Sequence, residues 1–264
     1  MQLKIFQVDA FTEEPFKGNP AAVCILTEGK DDKWMVSLAN EMNLSETAFL
    51  TRVDGGYNLR WFTPEVEVDL CGHATLASAH ILWEEGYMSK EEVIHFFTRS
   101  GVLKAKKING WIELDFPIKP EEEEQVHEDV LKALEVTPKY IGRNKFDYII
   151  EVESEDIVRN LKPNFDLLRK APVRGIIVTS KASSSGYDFI SRFFAPSVGI
   201  NEDPVTGSAH CCLGPYWGQK LNKSELMAYQ ASKRGGEIKL KLNGDRIYLC
   251  GKAVTIFKGE LAIN

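Results

Sequence analysis

An internal repeat constrains the fold of this chain more than any other feature of its sequence. The stretch at 60–80, RWFTPEVEVDLCGHATLASAH, returns at 192–210 as RFFAPSVGINEDPVTGSAH. Arg60 matches Arg192 at an offset of 132, and after a three-residue shift Gly72 matches Gly207 at an offset of 135. Because 132 is half of the 264 residues, the repeat predicts two domains of similar structure.

The joint between the two predicted domains lies in a charged segment, KPEEEEQ, at 119–125. A stretch of this composition is typical of a solvated surface link. We therefore predict an N-terminal domain over residues 1–118 and a C-terminal domain over residues 119–264. Each half is long enough to bury a core of its own. Asn-Gly turns at 109–110 and 243–244 predict a hairpin at a corresponding place in each half.

Composition and charge exclude several functional classes. The net charge of −6 and the pI of about 5.5 argue against a nucleic-acid or acidic-membrane partner. The first residues, MQLKIFQVDAF, alternate like a strand and lack the continuous apolar core of a signal peptide. The five cysteines are an odd number without CxxC spacing, which argues against a disulfide framework or a zinc site. We therefore expect a cytoplasmic protein without a bound metal.

Each copy of the repeat leads a glycine turn into a helix that is apolar on nearly all sides, predicted at 73–85 and 208–220. Such a helix is usually buried, so we expect a sheet curled around a central helix in each half. Gly72 and Gly207 leave the first N–H groups of these helices unshielded, and the positive end of the helix dipole favours an anion there. The alternative is that the two glycines only permit close packing.

The differences between the two copies indicate where chemistry could occur. The first copy has CGH at 71–73, and the second has TGS at 206–208 with Asp203 just before it. His73 is either a structural histidine or a titratable site group, and Asp203 either caps its helix or acts in the site. Glu46, in the run LSETAFL, is either a solvated residue at a strand end or a carboxylate with a raised pKa, suited to proton transfer.

Four segments occur in a fixed order between residues 16 and 210: FKGNPAAV, LSETAFL, RWFTPEVEVDLCGHATLASAH and EDPVTGSAH. Together they resemble the PhzF family of phenazine biosynthesis-like isomerases, within the diaminopimelate epimerase-like fold. The resemblance implies an α/β (α+β) fold of two similar domains related by pseudo-twofold symmetry. Each domain would be a mixed, largely antiparallel sheet wrapped around a central helix, with the site in the cleft between the domains. It also implies a homodimer that needs no cofactor.

The resemblance further implies proton-transfer chemistry on a small carboxylate-bearing substrate. Glu46 would be the general base and acid, and His73 and Asp203 would flank it. The family's best-known activity converts a dihydro-3-hydroxyanthranilate to its keto isomer. The residues that would bind the substrate are Gly72, Gly207, Ser208, Asn19, Ser45 and Thr206.

Two other functions remain open at this stage. Neighbouring epimerases use two thiols, one at the start of each central helix, and Cys71 stands at the first of these places. Thr206 stands at the second, and a threonine hydroxyl cannot replace a thiolate. A two-thiol amino-acid racemase is therefore disfavoured, and we expect Cys71 to pack near the site and Cys211 and Cys212 to lie in the core. The second alternative is a protein of this fold that binds a small molecule without turning it over.

Overall fold

A computed structural model describes residues 3–263, which form 18 strands and six helices. The strands in chain order are β1 Lys4–Ala10, β2 Asn19–Leu26, β3 Thr47–Val53, β4 Gly56–Phe62, β5 Glu67–Val68, β6 Ile94–Thr98, β7 Gly101–Ile108, β8 Trp111–Pro117, β9 Glu122–Glu123, β10 Tyr140–Arg143, β11 Asp147–Glu151, β12 Gly175–Lys181, β13 Phe189–Ala195, β14 Ile200–Asp203, β15 Glu225–Gln230, β16 Gly236–Asn243, β17 Arg246–Gly251 and β18 Ala253–Glu260. The helices are α1 Asp32–Met42, α2 Gly72–Glu84, α3 Glu128–Leu134, α4 Glu155–Asn160, α5 Phe165–Leu168 and α6 Gly207–Leu221.

The chain divides into two compact units. One unit contains the described residues up to Asp115 and those from Cys250 onwards, and the other is Phe116–Leu249. The first boundary lies close to the predicted joint at 118/119. The end of the chain differs from the sequence prediction, which placed residues 250–264 in the second domain. The reason is strand β18, which pairs antiparallel along β1 and so belongs to the first unit.

The two units repeat one strand order. The order is β1-β2-β3-β4-β6-β7 in the first unit, and β10-β11-β12-β13-β15-β16 in the second. In both, the second and third strands are parallel, as are the fourth and fifth, whereas the other pairs in these orders are antiparallel. Short strands β5 and β14 pair with β4 and β13. The prediction of two similar units with mixed, largely antiparallel sheets is confirmed.

A buried helix lies at the centre of each unit. Ten residues of α2 and ten residues of α6 are buried. Helix α2 packs against β1, β2, β3 and β18, while α6 packs against β15 and β16. Gly214 lets α6 approach its neighbours closely, because a Cβ there would lie 2.3 Å from Cδ1 of Ile247 and would force this methyl group to shift. Both central helices begin and end within one residue of their predicted bounds.

The repeat extends to an ion pair at the strand that precedes each central helix. In the first unit Arg60 donates from Nε and Nη2 to the carboxylate of Glu67, at 2.7 and 2.5 Å. In the second unit Arg192 donates from the same two atoms to Glu202, at 2.7 and 3.0 Å. Glu67 and Glu202 are matched by the offset of 135 that also matches the helix starts. In each unit the same bidentate ion pair therefore joins the short strand, β5 or β14, to its neighbour, β4 or β13.

Several strands lie outside the sequence predictions. Helix α1 occupies Asp32–Met42, and the two short helices α4 and α5 lie on either side of Pro163. No strand was predicted at 225–230 or 253–260, where β15 and β18 lie. Within residues 3–263, no helix is long and apolar enough to cross a membrane.

Candidate functional site

Three chemically active side chains meet in the first unit. Glu46 directly precedes β3, Cys71 occupies the N-cap position of α2, and His73 is the second residue of that helix. Because α2 packs on β3, Nε2 of His73 lies 3.3 Å from Oε2 of Glu46. The Sγ atom of Cys71 lies 3.5 Å from Nδ1 of His73. The structure thus brings Glu46 and His73 together, as expected for one site, and adds Cys71 to them.

Burial sets the protonation state of the histidine in this group. His73 is 5% exposed, and burial lowers its pKa to about 3, so its imidazole is neutral near pH 7. The side chain of Glu46 is 15% exposed. The carboxylate is suited to accept a proton from a substrate, and the neutral imidazole beside it is suited to donate an N–H to a substrate oxygen.

A side chain one turn into each central helix fixes the helix start. Thr75 donates from Oγ1 to the carbonyl of Cys71 at 2.5 Å. At the matching position of α6, Nδ1 of His210 lies 2.8 Å from the carbonyl of Thr206. Burial lowers the pKa of His210 to about 4, so the ring is neutral and its Nδ1–H donates to this carbonyl. Neither N-cap residue, Cys71 or Thr206, forms a side-chain capping bond.

In the second unit a hydrogen-bond network orients the carboxylate of Asp203. The backbone N–H of Thr206 donates to Oε1 of Gln230 at 2.8 Å, and Nε2 of Gln230 donates to the carbonyl of Asp203 at 2.7 Å. Since a backbone N–H only donates and a carbonyl only accepts, these two bonds fix the orientation of the amide. Nε2 also donates to Oγ1 of Thr206 at 3.1 Å, and the hydroxyl donates to Oδ2 of Asp203 at 2.5 Å. Thr206, predicted to bind substrate, therefore holds Asp203.

Gln230 is fully buried and was not singled out in the sequence. Replacing it with methionine is expected to lower the free energy of unfolding by about 2–3 kcal/mol, because the N–H of Thr206 and the carbonyl of Asp203 lose their partner in a buried place. Urea denaturation of the full chain measures the change. The exposed Gln219 supplies the control, since Gln219→Met is expected to alter stability by no more than about 0.5 kcal/mol. Equal losses in the two variants would contradict the bridging role of Gln230.

The cationic side chain of Arg174 lies beside Ser208. Arg174, which directly precedes β12, donates to both carboxylate oxygens of Asp147 at 2.9 and 2.5 Å, and its Nη2 lies 3.2 Å from Oγ of Ser208. Asp147 is 1% exposed, whereas the side chain of Arg174 is 38% exposed. The sequence signal for Arg174 is a single charged residue ahead of the apolar run GIIVTS, which local pattern alone does not connect to Ser208.

The two units carry different chemistry at corresponding places. Strand β3 pairs with β4, and β12 pairs with β13, in equivalent registers in which Glu46 corresponds to Gly175. A side chain at Gly175 would displace its neighbours, because its Cβ would lie 2.2 Å from the ring of Phe193 and 2.8 Å from Oδ1 of Asp147. At the helix starts His73 corresponds to Ser208. Of these two matched places, only the one in the first unit therefore carries both an acid and a histidine.

The other predicted binding residues lie at the starts of elements. Asn19 is fully buried as the first residue of β2, and Ser45 is half-buried next to Glu46 in the chain. Gly72 and Gly207 are the first residues of α2 and α6. The contacts of these four residues with a substrate stay predictions from the family resemblance.

The sequence profile of the phenazine biosynthesis-like family, PhzC-PhzF, matches residues 8–259. The chain belongs to this family. A protein of Halalkalibacterium halodurans, described as an uncharacterized isomerase, is 60% identical over 264 residues, covering 100% of both chains. The solved structure of a PhzF-family phenazine biosynthesis protein from Enterococcus faecalis has a TM-score of 0.95 at 41% identity, also with 100% of both chains covered.

More distant similarity extends the fold to epimerases. A protein of Pseudomonas aeruginosa described as a predicted epimerase has a TM-score of 0.75 at 18% identity, with 100% of both chains covered. At this identity the similarity concerns the fold alone. Together the comparisons confirm the resemblance deduced from the four sequence motifs, and they class this PhzC-PhzF family member as an isomerase.

Proposed function

We propose that this isomerase moves a proton between two carbons of a small carboxylate-bearing substrate without a cofactor, with Glu46 as the general base and acid. The observation that carries the proposal is the carboxyl group of Glu46, mostly buried and 3.3 Å from a neutral His73 at the start of a central helix. A titratable acid in such surroundings is a common feature of catalytic sites.

The reaction is balanced within the substrate. The carboxylate of Glu46 takes a proton from a carbon whose carbanion is stabilised by conjugation, and the electron pair of that C–H bond moves into the conjugated system. The carboxyl group then returns a proton to another carbon, where the new C–H bond forms. The product is an isomer of the substrate, so the step needs neither an oxidant nor a reductant.

Groups around Glu46 are suited to stabilise the charge that develops. The N–H of the neutral imidazole of His73 can donate to a substrate oxygen, and the first N–H groups of α2 favour a carboxylate. In the second unit the geometry supports Asp203 as an acceptor, because the hydroxyl of Thr206 donates to it. That Asp203 serves the same substrate as Glu46 stays a prediction from the family resemblance.

The hydrogen bond from Thr206 to Asp203 favours an isomerase with a carboxyl base over a two-thiol racemase. A racemase of that type needs a second acid–base group at the position that matches Cys71. Thr206 stands there, with its hydroxyl donating to Asp203, and threonine is not ionised in the working range of a thiol. Cys71 remains a neighbour of His73 rather than one of a pair of thiols.

Turnover in deuterated water tests the proposed function. The intact protein is offered a dihydro-3-hydroxyanthranilate and a panel of small amino and unsaturated carboxylic acids, and products are followed by NMR. We expect isomerisation with deuterium entering the carbon that receives the proton, and we expect Cys71→Ser to retain it. Loss of exchange in Cys71→Ser but not in Glu46→Gln would replace the proposal with a racemase.

Thermal unfolding of the same mixtures distinguishes a binding protein. A ligand present at 100 times its dissociation constant stabilises the folded state by about 2.7 kcal/mol. Stabilisation by a panel compound without any isomerisation or isotope exchange would show binding without turnover and would overturn the proposed reaction.

We also propose, from the family resemblance, that the chain forms a homodimer and, from its cysteine pattern, that it works in the cytoplasm. Light scattering coupled to size-exclusion chromatography measures the oligomeric state, and we expect twice the mass of one chain. None of the five cysteines, all within the described residues, forms a disulfide, which fits a reducing compartment. Cell fractionation tests the location, and recovery in a secreted fraction would contradict it.

A further inference from the structure

We propose that Glu46, Cys71 and His73 form a zinc-binding site whose occupation inhibits the isomerase. The three residues offer a carboxylate oxygen, a sulfur and a ring nitrogen that all lie within 4.8 Å of one another. Zinc sites that keep an open position use three protein ligands of these types, with water or substrate as the fourth. The inhibition rests on the proposed function of Glu46, whereas the metal binding does not.

The distances between the ligand atoms approach those of a tetrahedral zinc site. With the usual bond lengths, two ligands at a tetrahedral angle are separated by about 3.3 Å for nitrogen and oxygen, and by about 3.6 Å for nitrogen and sulfur. Here Nε2 of His73 lies 3.3 Å from Oε2 of Glu46 and 4.0 Å from Sγ of Cys71. The nitrogen and oxygen are already at the required separation. The sulfur lies beyond it and is closer, at 3.5 Å, to Nδ1 of the same ring, so metal binding at Nε2 requires the sulfur to move.

The fold holds these three residues in place before a metal arrives. Cys71 and His73 are 6% and 5% exposed, and the carbonyl of Cys71 accepts the hydroxyl of Thr75. The carbonyl of Glu46 accepts the N–H of Ala22 at 3.3 Å, which ties Glu46 to strand β2. The backbone of these residues is therefore fixed before the metal binds, which lowers the entropic cost of forming the site.

The second unit provides an internal comparison for the site. The places of Cys71, His73 and Glu46 are taken there by Thr206, Ser208 and Gly175, which offer two hydroxyl groups and no side chain. Hydroxyl groups are poor zinc ligands compared with thiolate, imidazole and carboxylate. We therefore expect one tightly bound metal ion per chain, in the first unit.

Zinc at this site blocks the proposed proton transfer directly. The metal coordinates the carboxylate oxygen that would take the proton and the ring nitrogen beside it, so the inhibited form lacks its base. The sulfur and nitrogen ligands select Zn²⁺ or Co²⁺ over Mg²⁺ and Ca²⁺, which prefer oxygen ligands alone. Removal of the metal with a chelator restores the base.

Titration of the reduced, intact protein with Co²⁺ tests the site without reference to activity. We expect one Co²⁺ per chain, with a thiolate-to-cobalt absorption band that Zn²⁺ abolishes and Mg²⁺ leaves unchanged. Cys71→Ser is expected to lose the band and to bind at least about 100-fold more weakly, as removal of a direct ligand costs more than the about 10–100-fold loss for an outer partner. Cys211→Ala removes a buried thiol in α6 and is expected to keep the band.

The outcomes separate this inference from the proposed function. Absence of the band in the intact protein, or equal metal affinity in Cys71→Ser, would overturn the metal site. With the site present, Zn²⁺ is expected to stop deuterium exchange and a chelator to restore it; exchange that continues at full occupancy would overturn the inhibition. If the metal binds as described but the metal-free protein exchanges no substrate, the proposed function fails while the metal site stands.

Discussion

Replacing Glu46 with glutamine is expected to lower the rate of proton transfer by about 10²–10⁴-fold, the range that a positioned general base contributes. The amide has the shape of the carboxyl group but cannot accept a proton from carbon. Since the side chain stays the same length, its separation from His73 is retained and the fold should be unchanged. Deuterium incorporation and kcat/KM, measured with the panel substrate that the wild type turns over, report the loss.

Two further variants sharpen this test. Glu113 is another buried carboxyl group of the first unit, 7% exposed and 2.8 Å from Nζ of Lys106, and Glu113→Gln is expected to keep wild-type activity. Glu46→Asp retains an acid but withdraws it by one methylene group, so an intermediate rate is expected. If Glu46→Gln were as active as Glu113→Gln, a different group would be the base.

The sequence predicted the central helices well because their signal is local. A glycine at the start and apolar residues on all sides describe α2 and α6 without knowledge of their surroundings. Strands β15 and β18 were not predicted, because strand pairing depends on residues far away in the chain. The run ELMAYQ of β15 even contains several good helix formers, so its own composition does not indicate a strand. Gln230, at the end of β15, was missed for the same reason.

The candidate site was predicted residue by residue, but its contacts were not. The motif LSETAFL indicated Glu46, and the repeat indicated His73 and Asp203, yet only the packing of α2 on β3 gives the separation of Glu46 and His73. The role of Thr206 depends on which way its hydroxyl points. That direction follows from the amide of Gln230, 24 residues further along the chain, and no local pattern reports it.

Replacing Arg192 with methionine is expected to lower the free energy of unfolding by about 3–5 kcal/mol, the cost of removing one partner of a buried ion pair. Arg192 is 8% exposed and donates to Glu202 from two nitrogens. Its Nη1 also donates to the carbonyls of Val158 and Leu161, at 3.3 and 2.8 Å. Methionine fills a similar volume but leaves the carboxylate and both carbonyls without this donor. Urea denaturation of the intact chain measures the change.

The repeat supplies a matched control for Arg192. Arg60 makes the same bidentate contact in the first unit, but its side chain is 23% exposed, and Glu67 also lies 2.5 Å from Nη2 of Arg99. Since Glu67 keeps a cation when Arg60 is removed, Arg60→Met is expected to cost only about 1–2 kcal/mol. Arg192→Lys keeps the charge without the bidentate geometry and should fall between Arg192→Met and the wild type. Equal losses for the two methionine variants would show that burial and the number of partners do not set the strength of the pair.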